Sequence, residues 1–586
     1  MQEEIIAAAL RGEDSLVIMP TGGGKSVCFQ VPAMLLDGLT IVVSPLISLM
    51  KDQVDGLREV GIPAAALNSN QTLEENVRIE NDCLSGRTKL LYVSPETLVG
   101  RLPYFANALQ ISLIAVDEAH CISQWGHDFR PEYTQLDAVR QALPNVPIMA
   151  LTATADRVTR ADICKQLQLR EPHVFLASFD RPNLSLTVIQ GFNEAEKSKA
   201  LLRFIGAHVG QSGIVYCLAK KTTEKVAEKL AAKGLRVGVY HAGKSSAERN
   251  AVQQAFADDS IQIVVATIAF GMGIDKSNVR WIVHYNLPKS IENYYQEIGR
   301  AGRDGDPADT LLFYNVSDII KLEHFVRESG QREVEEEKLQ RMRDYAEARI
   351  CRRKILLNYF GENRQDDCHN CDVCRNPPRL FDGTTLAQKA LSAIARCNEQ
   401  ITMRTAVDIL FGKYSPTIAA NHYDQIKTFG CGHDVPLMHW NKYMLQFLMQ
   451  GLFDMAYDEE NHLKITAFGK DVLYGRARIE LAEISAPQPV ERKPKKTARK
   501  STRPLFEAET TEAAFDPELF ERLKTLRLTL ANAQGLPAYV VFTDKVLRAL
   551  ATLKPKTLEE FGRIPGIGEF KQKKYGATFL ELILER

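Results

Sequence analysis

The sequence predicts an α/β protein in which two consecutive parallel-sheet domains are followed by smaller, mainly helical domains. Residues 1–320 contain two successive sets of short, β-branched apolar runs, and amphipathic segments separate the runs. Such runs are typical of strands buried on both faces of a parallel sheet, and the amphipathic segments fit the helices that connect parallel strands. With 586 residues the chain is too long for one core, so we expect about three to five domains.

The predicted strands form two groups. The first group comprises SLVIM, TIVVSPL, KLLYVSP, LIAVDEA and IMALTAT. The second group comprises GIVYC, RVGVY, IQIVVAT, RWIVHYN and TLLFYN. The segment SFDRPNL, Ser178–Leu184, lies between them, so we expect a first domain over residues 1–180 and a second over residues 181–325.

The rest of the chain changes character several times. Residues 326–380 are helical and charged and then become rich in cysteine, whereas residues 381–482 form a mixed domain without a catalytic motif. Residues 483–515 include the basic run ERKPKKTARKSTR and predict a flexible, solvated linker. Helical periodicity returns over residues 516–586, which predicts a small separate bundle.

The composition indicates a cytoplasmic protein without a membrane span, but it does not show whether the protein binds nucleic acid. The 73 basic and 73 acidic residues cancel, and a zero total argues neither for nor against nucleic acid, since binding depends on local charge. No run of about 18 apolar residues exists, so we expect no membrane span, and the acidic start does not resemble a signal peptide. Eleven cysteines, an odd number, then indicate a reducing, cytoplasmic location.

A glycine-rich loop predicts a phosphate site. Met19-Pro-Thr-Gly-Gly-Gly-Lys-Ser26 follows the strand SLVIM and precedes a helical segment, which is the context that a phosphate loop requires. Lys25 would reach the β- and γ-phosphates, and the Ser26 hydroxyl would ligate Mg²⁺. Met19 stands where the strict pattern has glycine, and the alternative is a simple tight turn. The predicted contacts are Thr21, Gly22, Gly23, Gly24, Lys25 and Ser26.

Two acids at the end of a later strand complete a hydrolysis site. Asp117 and Glu118 end the run LIAVDEA, about 90 residues after the phosphate loop. Asp117 would hold Mg²⁺, directly or through water, and Glu118 would polarise the attacking water. Alone this pair could be a solvated turn, but together with the loop it predicts hydrolysis of a nucleoside triphosphate.

The second domain supplies cations in the segment YQEIGRAGRDG, which ends at Gly305. Gln296, Arg300 and Arg303 lie together there, and arginines that reach a γ-phosphate across a cleft stabilise transition-state charge. The alternative is a pair of exposed arginines in surface ion pairs. A nucleotide completed by a second domain would couple hydrolysis to domain closure.

Four cysteines predict a metal site. Cys351, Cys368, Cys371 and Cys374 have the spacing C-x16-C-x2-C-x2-C, and Zn²⁺ favours four thiolates in a closed tetrahedron. An iron–sulfur cluster or a redox role is the alternative. His369 is a competing ligand that we leave out because four cysteines suffice. We expect a structural ion whose removal unfolds the surrounding module.

Together these motifs resemble those of the superfamily-two helicases. The motifs are the phosphate loop, DEAH at 117–120, LTATA at 151–155, ATIAFGMGIDK at 266–276 and QEIGRAGRDG at 296–305. The aromatic-rich VDEAHCISQWGHDFRPEY is similar to a loop of the RecQ family of DNA helicases in its bacterial form, and the resemblance covers nearly the whole chain. It implies two RecA-like motor domains followed by zinc-binding, winged-helix and C-terminal helical-bundle (HRDC) domains.

The resemblance also implies an activity and partners. A member of this family would be an ATP-dependent helicase that moves 3′ to 5′ along DNA and separates duplex or branched DNA in recombination and repair. ATP, Mg²⁺ and Zn²⁺ would be its cofactors. Single-stranded and duplex or branched DNA would be its partners, with a single-strand DNA-binding protein as a further partner. We expect a monomer that is associated with the nucleoid and has no membrane contact.

The family's aromatic-rich loop senses single-stranded DNA. The corresponding residues here are Trp125, His127, Phe129 and Arg130, and aromatic faces stack on bases irrespective of sequence. Arg130 would meet a phosphate or a ring. The alternative for Phe129 and Tyr133 is packing beneath the loop.

The C-terminal domains carry weaker signals. In the HRDC-like region, Tyr539 and Lys571 are candidate DNA contacts, and the alternative is a solvated basic face. In the winged-helix region, we expect Tyr443, Phe447 and Leu448 to be core residues rather than DNA contacts.

The beginning of the chain departs from the family pattern. The family has an upstream aromatic and an arginine that bind adenine, followed by Arg-Pro-Gly-Gln, and this chain begins with Met1 at the position of that glycine. Gln2 remains as the adenine-reading glutamine, but its partners are absent, so we expect weak ATP affinity. Either the start codon is called too late or the protein is truncated at its N-terminus. The alternative functions are a DNA-structure binding protein with a crippled ATPase and, less favoured, an RNA unwinder.

Overall fold

The computed structural model describes most of the chain. The described ranges are residues 1–68, 71–123, 126, 129–271, 276–327, 332–362, 364, 366–456, 462–484, 515–534 and 538–585. Within these ranges, no helix has the length and apolar character needed to cross a membrane.

The first domain is built on a parallel sheet of seven strands in the order β3-β4-β2-β5-β6-β1-β7. The strands are β1 (Ser15–Ile18), β2 (Leu39–Val43), β3 (Ala64–Leu67), β4 (Leu90–Val93), β5 (Ile111–Val116), β6 (Ile148–Thr152) and β7 (His173–Leu176). Strands β1, β2, β4 and β6 are buried along their whole length, and β5 is buried over its last four residues, as expected when helices cover both faces of a sheet.

Helices connect these strands. They are α1 (Gln2–Leu10), α2 (Lys25–Leu35), α3 (Ile47–Glu59), α4 (Leu73–Leu84), α5 (Pro95–Ala108), α6 (Pro131–Thr134), α7 (Asp137–Ala142) and α8 (Arg157–Gln166), with a 3₁₀ helix at Ala119–Ile122. Several begin at a side chain that accepts a hydrogen bond from the first turn, and the Asp156 carboxylate accepts from the Thr159 amide at 2.8 Å. Because parallel strands end at the same edge, the loops after β1, β5 and β6 lie side by side.

The second domain has a parallel sheet of six strands in the order β10-β11-β9-β12-β13-β8. The strands are β8 (Leu184–Gln190), β9 (Ser212–Tyr216), β10 (Val237–Tyr240), β11 (Ile263–Ala266), β12 (Val279–His284) and β13 (Ala308–Tyr314). The helices are α9 (Glu194–Gly206), α10 (Lys220–Ala231), α11 (Ser246–Ala257) and α12 (Ile291–Ile298). The prediction of two parallel-sheet domains is thus confirmed, although β3, β7 and β8 were not predicted.

A helical segment that contains the cysteine cluster follows the second sheet. It comprises α13 (Val316–Arg327), α14 (Arg332–Glu347), α15 (Arg352–Tyr359) and α16 (Asp372–Arg375). This segment packs on the joint between the two sheets, where Cys371 forms a parallel bridge with Leu186 of β8. Arg352 is buried and binds the Asp372 carboxylate with two hydrogen bonds of 3.0 and 3.1 Å. We call residues 351–376 the zinc module below.

The segment between the two sheets is held along its length by the zinc module. Glu362 accepts hydrogen bonds from the Ser178 hydroxyl at 2.7 Å and from the Phe179 amide at 2.8 Å. Arg353 and Arg364 both form ion pairs with Asp180. The joint is therefore an ordered part of the packing rather than a free linker.

Residues 377–484 form a mixed domain around one apolar core. Its elements are β14 (Leu380–Asp382), α17 (Thr384–Arg396), α18 (Met403–Phe411), α19 (Pro416–Ala420), a 3₁₀ helix at Tyr423–Gln425, α20 (Leu437–Met449), β15 (Phe453–Ala456), β16 (His462–Ile465), α21 (Ala467–Leu473) and β17 (Glu480–Ala482). The pairs β14–β17 and β15–β16 are antiparallel. Tyr443, Phe447 and Leu448 belong to the buried core, as predicted.

Five helices make up the last part of the described chain. They are α22 (Pro517–Gln534), α23 (Ala538–Val541), α24 (Asp544–Leu553), α25 (Leu558–Gly562) and α26 (Glu569–Leu584). Leu523, Leu547, Phe561 and Phe579 are fully buried, so these helices share apolar faces, as their periodicity predicts.

Candidate nucleotide and metal sites

The phosphate loop runs from the end of β1 to the start of α2. Gly22 and Gly24 have φ angles of +83° and +82°, in the left-handed region that favours glycine. A Cβ atom at Gly24 would also collide with the side chain of Gln2. The loop can therefore curl with its amides directed inward and lead into the N-terminus of a helix, which is the geometry that binds phosphate.

Lys25 is the first residue of α2 and lies over this loop. Its ammonium donates a hydrogen bond to the Met19 carbonyl oxygen at 3.0 Å. Burial lowers the pKa of Lys25, and the charges of Glu118 and Asp117 act in the opposite direction. The lysine is thus held between a carbonyl group and two acids, where a phosphate oxygen would be a stronger partner.

Asp117 and Glu118 are the first residues after β5. Burial, followed by the neighbouring charge of Glu118, raises the pKa of Asp117 to about 7, against the effect of Lys25. The Asp117 carboxylate accepts a hydrogen bond from the Glu118 amide at 2.9 Å, and the Tyr133 hydroxyl donates to the Asp117 carbonyl oxygen at 3.1 Å. Glu118 has a φ angle of +47°, which turns the chain directly after the acids. A buried acidic pair of this kind is stabilised by a bound cation.

His120 links the acids to the neighbouring strand and was not predicted as a site residue. It is fully buried, and its Nδ1 atom lies 2.8 Å from the Thr152 hydroxyl and 3.3 Å from a carboxylate oxygen of Glu118. Burial lowers the pKa of His120 to about 3, so the ring is neutral. Thr152 in turn contacts Thr154, whose hydroxyl accepts a hydrogen bond from the Gln296 amide at 3.3 Å. A polar chain thus runs from Glu118 to the second domain.

The second domain closes a cavity of about 370 Å³ over the phosphate loop. Arg300 is 6% exposed, and its Nε atom has no hydrogen-bond partner within the described part of the chain. Arg303 packs against the loop, because a Cβ atom at Gly22 would lie 3.4 Å from its Cγ atom. Three cations and two acids line the cavity, and this arrangement fits a polyanion with a bound cation. The lining residues are Thr21, Gly22, Gly24, Lys25, Ser26, Leu49, Gln53, Asp117, Glu118, Ser277, Gln296, Arg300 and Arg303.

Nearly all the residues that we predicted for nucleotide binding therefore meet at one cavity. Gly23 and Gln2 do not line it, but the Gln2 amide donates hydrogen bonds to the carbonyl oxygens of Gly23 and Gly24 at 3.2 and 3.4 Å. Leu49, Gln53 and Ser277 line it without prediction. No motif in the sequence singled these three out.

Arg181 is a further residue that sequence reasoning missed. It lies in SFDRPNL, which we interpreted only as a joint between domains. One of its terminal nitrogens donates to the Thr21 carbonyl oxygen at 3.0 Å, and the other donates to the Gly302 carbonyl oxygen at 2.8 Å. Arg181 thus contacts the phosphate loop and the arginine-bearing turn together.

The predicted DNA loop is only partly described. Trp125 and His127 lie outside the described residues. Phe129 and Arg130 are half-buried, and Arg130 donates a hydrogen bond to the Pro45 carbonyl oxygen at 3.0 Å. Tyr133 is fully buried, so the packing alternative is confirmed for this residue.

The predicted cysteine cluster is assembled. The sulfur atoms of Cys351, Cys368, Cys371 and Cys374 lie within 4.8 Å of one another, and none is in a disulfide. An ion with bonds of about 2.3 Å to four thiolates would hold them about 3.8 Å apart, close to the 3.4 and 3.9 Å of two of these pairs. A multi-iron cluster would need more space, so the cluster fits one zinc ion. His369 is not part of it.

The two candidate DNA contacts near the C-terminus are on different helices. Tyr539 lies on α23 and Lys571 lies on α26, and both are half-buried. Nearby on α26, the exposed Lys573 forms an ion pair of 2.7 Å with Glu569.

Comparison with protein families matches almost every part of the chain. The profile of the DEAD/DEAH box helicases matches residues 1–162, and that of the helicase conserved C-terminal domain matches residues 196–305. The RecQ zinc-binding profile matches residues 316–375, the RQC domain residues 377–489 and the HRDC domain residues 516–583. The two sheets, the cysteine cluster and the terminal helices thus each correspond to a known domain.

Full-length relatives give the same result. The ATP-dependent DNA helicase RecQ of Pasteurella multocida is 44% identical over 589 residues, which cover 99% of this chain and 90% of that protein. The protein of the same name from Haemophilus influenzae is 44% identical and covers 100% of this chain and 93% of its own length. That from Bacillus subtilis is 36% identical, with 97% and 93% covered.

Proposed function

Because the chain belongs to the RecQ family of ATP-dependent DNA helicases, we propose that it hydrolyses ATP in the cavity between its two RecA-like domains and thereby unwinds DNA. The chain is an enzyme of that family, with ATP as its nucleotide and zinc in the cysteine cluster. The observation that carries the proposal is the single cavity in which Lys25, Asp117, Glu118 and Arg303 meet.

The motif residues of the first domain have proposed roles. The amides of Thr21, Gly22, Gly23 and Gly24 bind the phosphates, and Lys25 exchanges the Met19 carbonyl for a β- or γ-phosphate oxygen. Mg²⁺ held by Ser26 and Asp117 would neutralise charge on the phosphates. Glu118 orients and polarises the attacking water.

The second domain completes the reaction site. Arg300 and Arg303 stabilise the charge that develops on the transferred phosphoryl group, and Gln296 senses it through Thr154. Since these groups come from another domain than the phosphate loop, hydrolysis requires closure and product release permits opening. Gln2 is the proposed contact for the adenine ring. Repeated closure on a DNA strand gives translocation.

The direction and substrate are finer proposals. We propose movement 3′ to 5′ and separation of duplex or branched DNA in recombination and repair. Trp125, His127, Phe129 and Arg130 are the proposed contacts for single-stranded DNA, with Tyr539 and Lys571 as contacts near the C-terminus. Contacts to the DNA backbone and to base faces carry no sequence preference, as a translocating enzyme requires.

Organisation and surroundings are proposed on the same basis. We propose functional domains at residues 1–180, 181–325, 326–380, 381–482 and 516–586, with a linker at 483–515. The protein would act as a monomer at the nucleoid in the cytoplasm, where a single-strand DNA-binding protein is its proposed partner.

The deciding experiment is ATP hydrolysis by the full chain with and without single-stranded DNA. We expect strong stimulation by DNA, and we expect Lys25→Ala to abolish turnover while DNA binding remains. Lys165→Ala changes an exposed lysine of the same domain and should leave turnover intact. DNA binding without turnover in the zinc-loaded wild type would overturn the proposal and favour a DNA-structure binding protein. Equal stimulation by RNA would favour an RNA unwinder.

A further inference from the structure

We propose that Arg181 is a positioning residue that fixes the turn carrying Arg300 and Arg303 against the phosphate loop. This inference rests on the proposed ATPase function and adds to it a residue from the joint between the two domains. Arg181 itself would not touch the nucleotide. It would act by setting where the two arginines of the second domain stand when the cavity closes.

The hydrogen bonds of Arg181 connect three segments. Its Nη1 atom donates to the carbonyl oxygen of Thr21 at 3.0 Å, in the phosphate loop, and to that of Gly299 at 3.4 Å. Its Nη2 atom donates to the carbonyl oxygens of Ala301 at 3.1 Å and Gly302 at 2.8 Å. The guanidinium therefore joins the two domains through backbone carbonyl groups, and its Nε atom also donates to the Asn183 side chain at 3.4 Å.

The bonded carbonyl groups lie on both sides of Arg300 and directly before Arg303. Gly299 and Ala301 flank Arg300, and Gly302 directly precedes Arg303. Gly302 has a φ angle of +58°, and a Cβ atom there would collide with the side chain of Asn183. The backbone on both sides of Arg300 and directly before Arg303 is thus fixed from the joint, so a shift of Arg181 would move both arginines.

Asn183 strengthens the same connection. Its side-chain amide donates to the carbonyl oxygens of Gly302 at 3.0 Å and Asp306 at 2.9 Å. Arg181 and Asn183 lie in a turn that is closed by a hydrogen bond of 3.0 Å from the Leu184 amide to the Arg181 carbonyl oxygen, and both side chains bond the Gly302 carbonyl oxygen. Asp180, which directly precedes Arg181, instead pairs with Arg353 of the zinc module at 2.7 Å.

Charge favours this position of Arg181 although burial opposes it. Burial lowers the pKa of Arg181, and no carboxylate lies within ion-pair distance of it in the described structure. Its partners are instead the carbonyl groups at and after the C-terminus of α12, the negative end of the helix dipole. A positive charge there also adds to the attraction of the cavity for phosphate.

The contacts require the shape of arginine. A planar guanidinium presents five donors in a fixed fork and can reach carbonyl groups in opposite directions. A lysine ammonium has three donors on one nitrogen, so it could retain part of the set but not span it. This difference gives the proposal a graded test.

The first test compares Arg181→Gln and Arg181→Lys with the wild type in DNA-stimulated ATP hydrolysis. We expect kcat to fall about 10- to 100-fold in Arg181→Gln, since a misplacement of about 1 Å can cost that much. Affinity for a non-hydrolysable ATP analogue should change less than about twofold, because the phosphate loop is retained. Arg181→Lys should recover part of kcat. The control is Arg236→Gln, an exposed arginine with one carbonyl partner in its own domain.

The second test is a double-mutant cycle with Arg303→Ala. If Arg181 acts through the turn, the double variant should be no slower than the slower single variant, whereas independent roles give multiplied losses. Multiplied losses, or equal losses in kcat and analogue affinity, would overturn the proposal. Zinc content and melting temperature show whether Arg181→Gln has a folding defect. If it does, the kcat and analogue affinity of Arg181→Lys decide between the positioning role and a structural role. Absence of turnover in the wild type would instead overturn the proposed function.

Discussion

The ring of Phe360 in the zinc module stacks on the ring of Phe179 in the joint between the two motor domains, with centroids 4.4 Å apart and planes inclined by 10°. Tyr295 meets both rings edge-on, at 4.9 and 5.9 Å, and its hydroxyl donates to the Phe179 carbonyl oxygen at 2.7 Å. All three rings are buried. Tyr295 precedes Gln296 on α12, so this aromatic cluster connects the zinc module to the nucleotide cavity.

Replacement of Phe360 by alanine tests the cluster. We expect a loss of about 3–5 kcal/mol in the free energy of unfolding, because a buried phenylalanine is removed and its stacking partner is exposed. We also expect a lower kcat for ATP hydrolysis, since Tyr295 loses the ring that fixes α12. Denaturant unfolding and steady-state hydrolysis measure the two effects. Phe325→Ala is the control, because Phe325 is 58% exposed. Equal effects of the two variants would contradict the assignment.

Removal of the metal should act on the motor as well as on the zinc module. We expect one zinc ion per chain, and Cys374→Ser should lose the ion and lower both the melting temperature and the ATPase rate. Metal analysis by mass spectrometry, thermal unfolding and hydrolysis measure these outcomes. Cys164→Ser is the matched control, as this half-buried thiol lies outside the cluster.

A different metal content would change this interpretation. Iron with acid-labile sulfide would establish an iron–sulfur cluster instead of zinc. Full ATPase activity in metal-free protein would show that the contacts of the zinc module with the joint do not depend on the ion.

Stability without nucleotide should depend on pH through Asp117. Its pKa is raised to about 7 by burial, from about 4 in an unfolded chain, so the protein loses stability as pH rises between these values. Asp117→Asn removes this loss, and we expect it to gain up to about 4 kcal/mol over the wild type at pH 8 but little at pH 4. Thermal unfolding across this range tests the expectation, with Asp55→Asn, an exposed acid, as the control. A gain independent of pH would contradict it.

His120 should act as a neutral positioning residue between Glu118 and Thr152. We expect His120→Ala to lower the DNA-stimulated kcat about tenfold or more with little change in KM, because Glu118 loses the partner that orients it. His173→Ala is the control, since His173 is 53% exposed at its side chain. A larger change in KM than in kcat would argue that His120 supports binding instead.

The lowered pKa of His120 should also affect how kcat and stability depend on pH. Its pKa is lowered to about 3, so its ring should not contribute an inflection to the pH profile of kcat between pH 6 and 8. In the unfolded chain His120 is protonated below about pH 6.5, whereas in the folded protein it stays neutral down to about pH 3. His120 therefore lowers the free energy of unfolding as pH falls from about 6.5 towards 3. Comparison of wild type and His120→Ala unfolding at pH 5 and 7 measures that cost. An equal difference at both pH values would contradict it.

The sequence predicted the interior strands of both sheets and missed three strands at their edges. β7 is mostly exposed, and β3 reads Ala-Ala-Ala-Leu, which has weak strand propensity. β8 begins at the last residue of SFDRPNL, and its first half alternates apolar with polar residues, unlike the continuous runs of the interior strands. Strands covered on both faces and both edges need apolar residues throughout, whereas an edge strand does not.

The sequence predicted those residues of the nucleotide cavity whose side chains belong to recognisable motifs. Lys25, Asp117 and Arg303 carry charges at spacings that fit one ligand. Arg181 instead binds backbone carbonyl groups. Every residue has a backbone carbonyl group, and only the fold decides which of them lie near Arg181, so no pattern in the sequence marks its partners. His120 was visible within DEAH, but its contact with Thr152 joins strands that only the fold brings together.

The contacts between the zinc module and the joint affect the order in which the protein can fold during synthesis. Ser178 and Glu362 are hydrogen-bonded across 184 positions of sequence, so both sheets are synthesised before the residues that hold them together emerge. Until then the emerging chain exposes Phe179 and Tyr295, two rings that the finished protein buries. Because we expect the zinc module to need its ion to fold, we expect the joint to be completed only after zinc binding, as a late step in the biogenesis of the helicase.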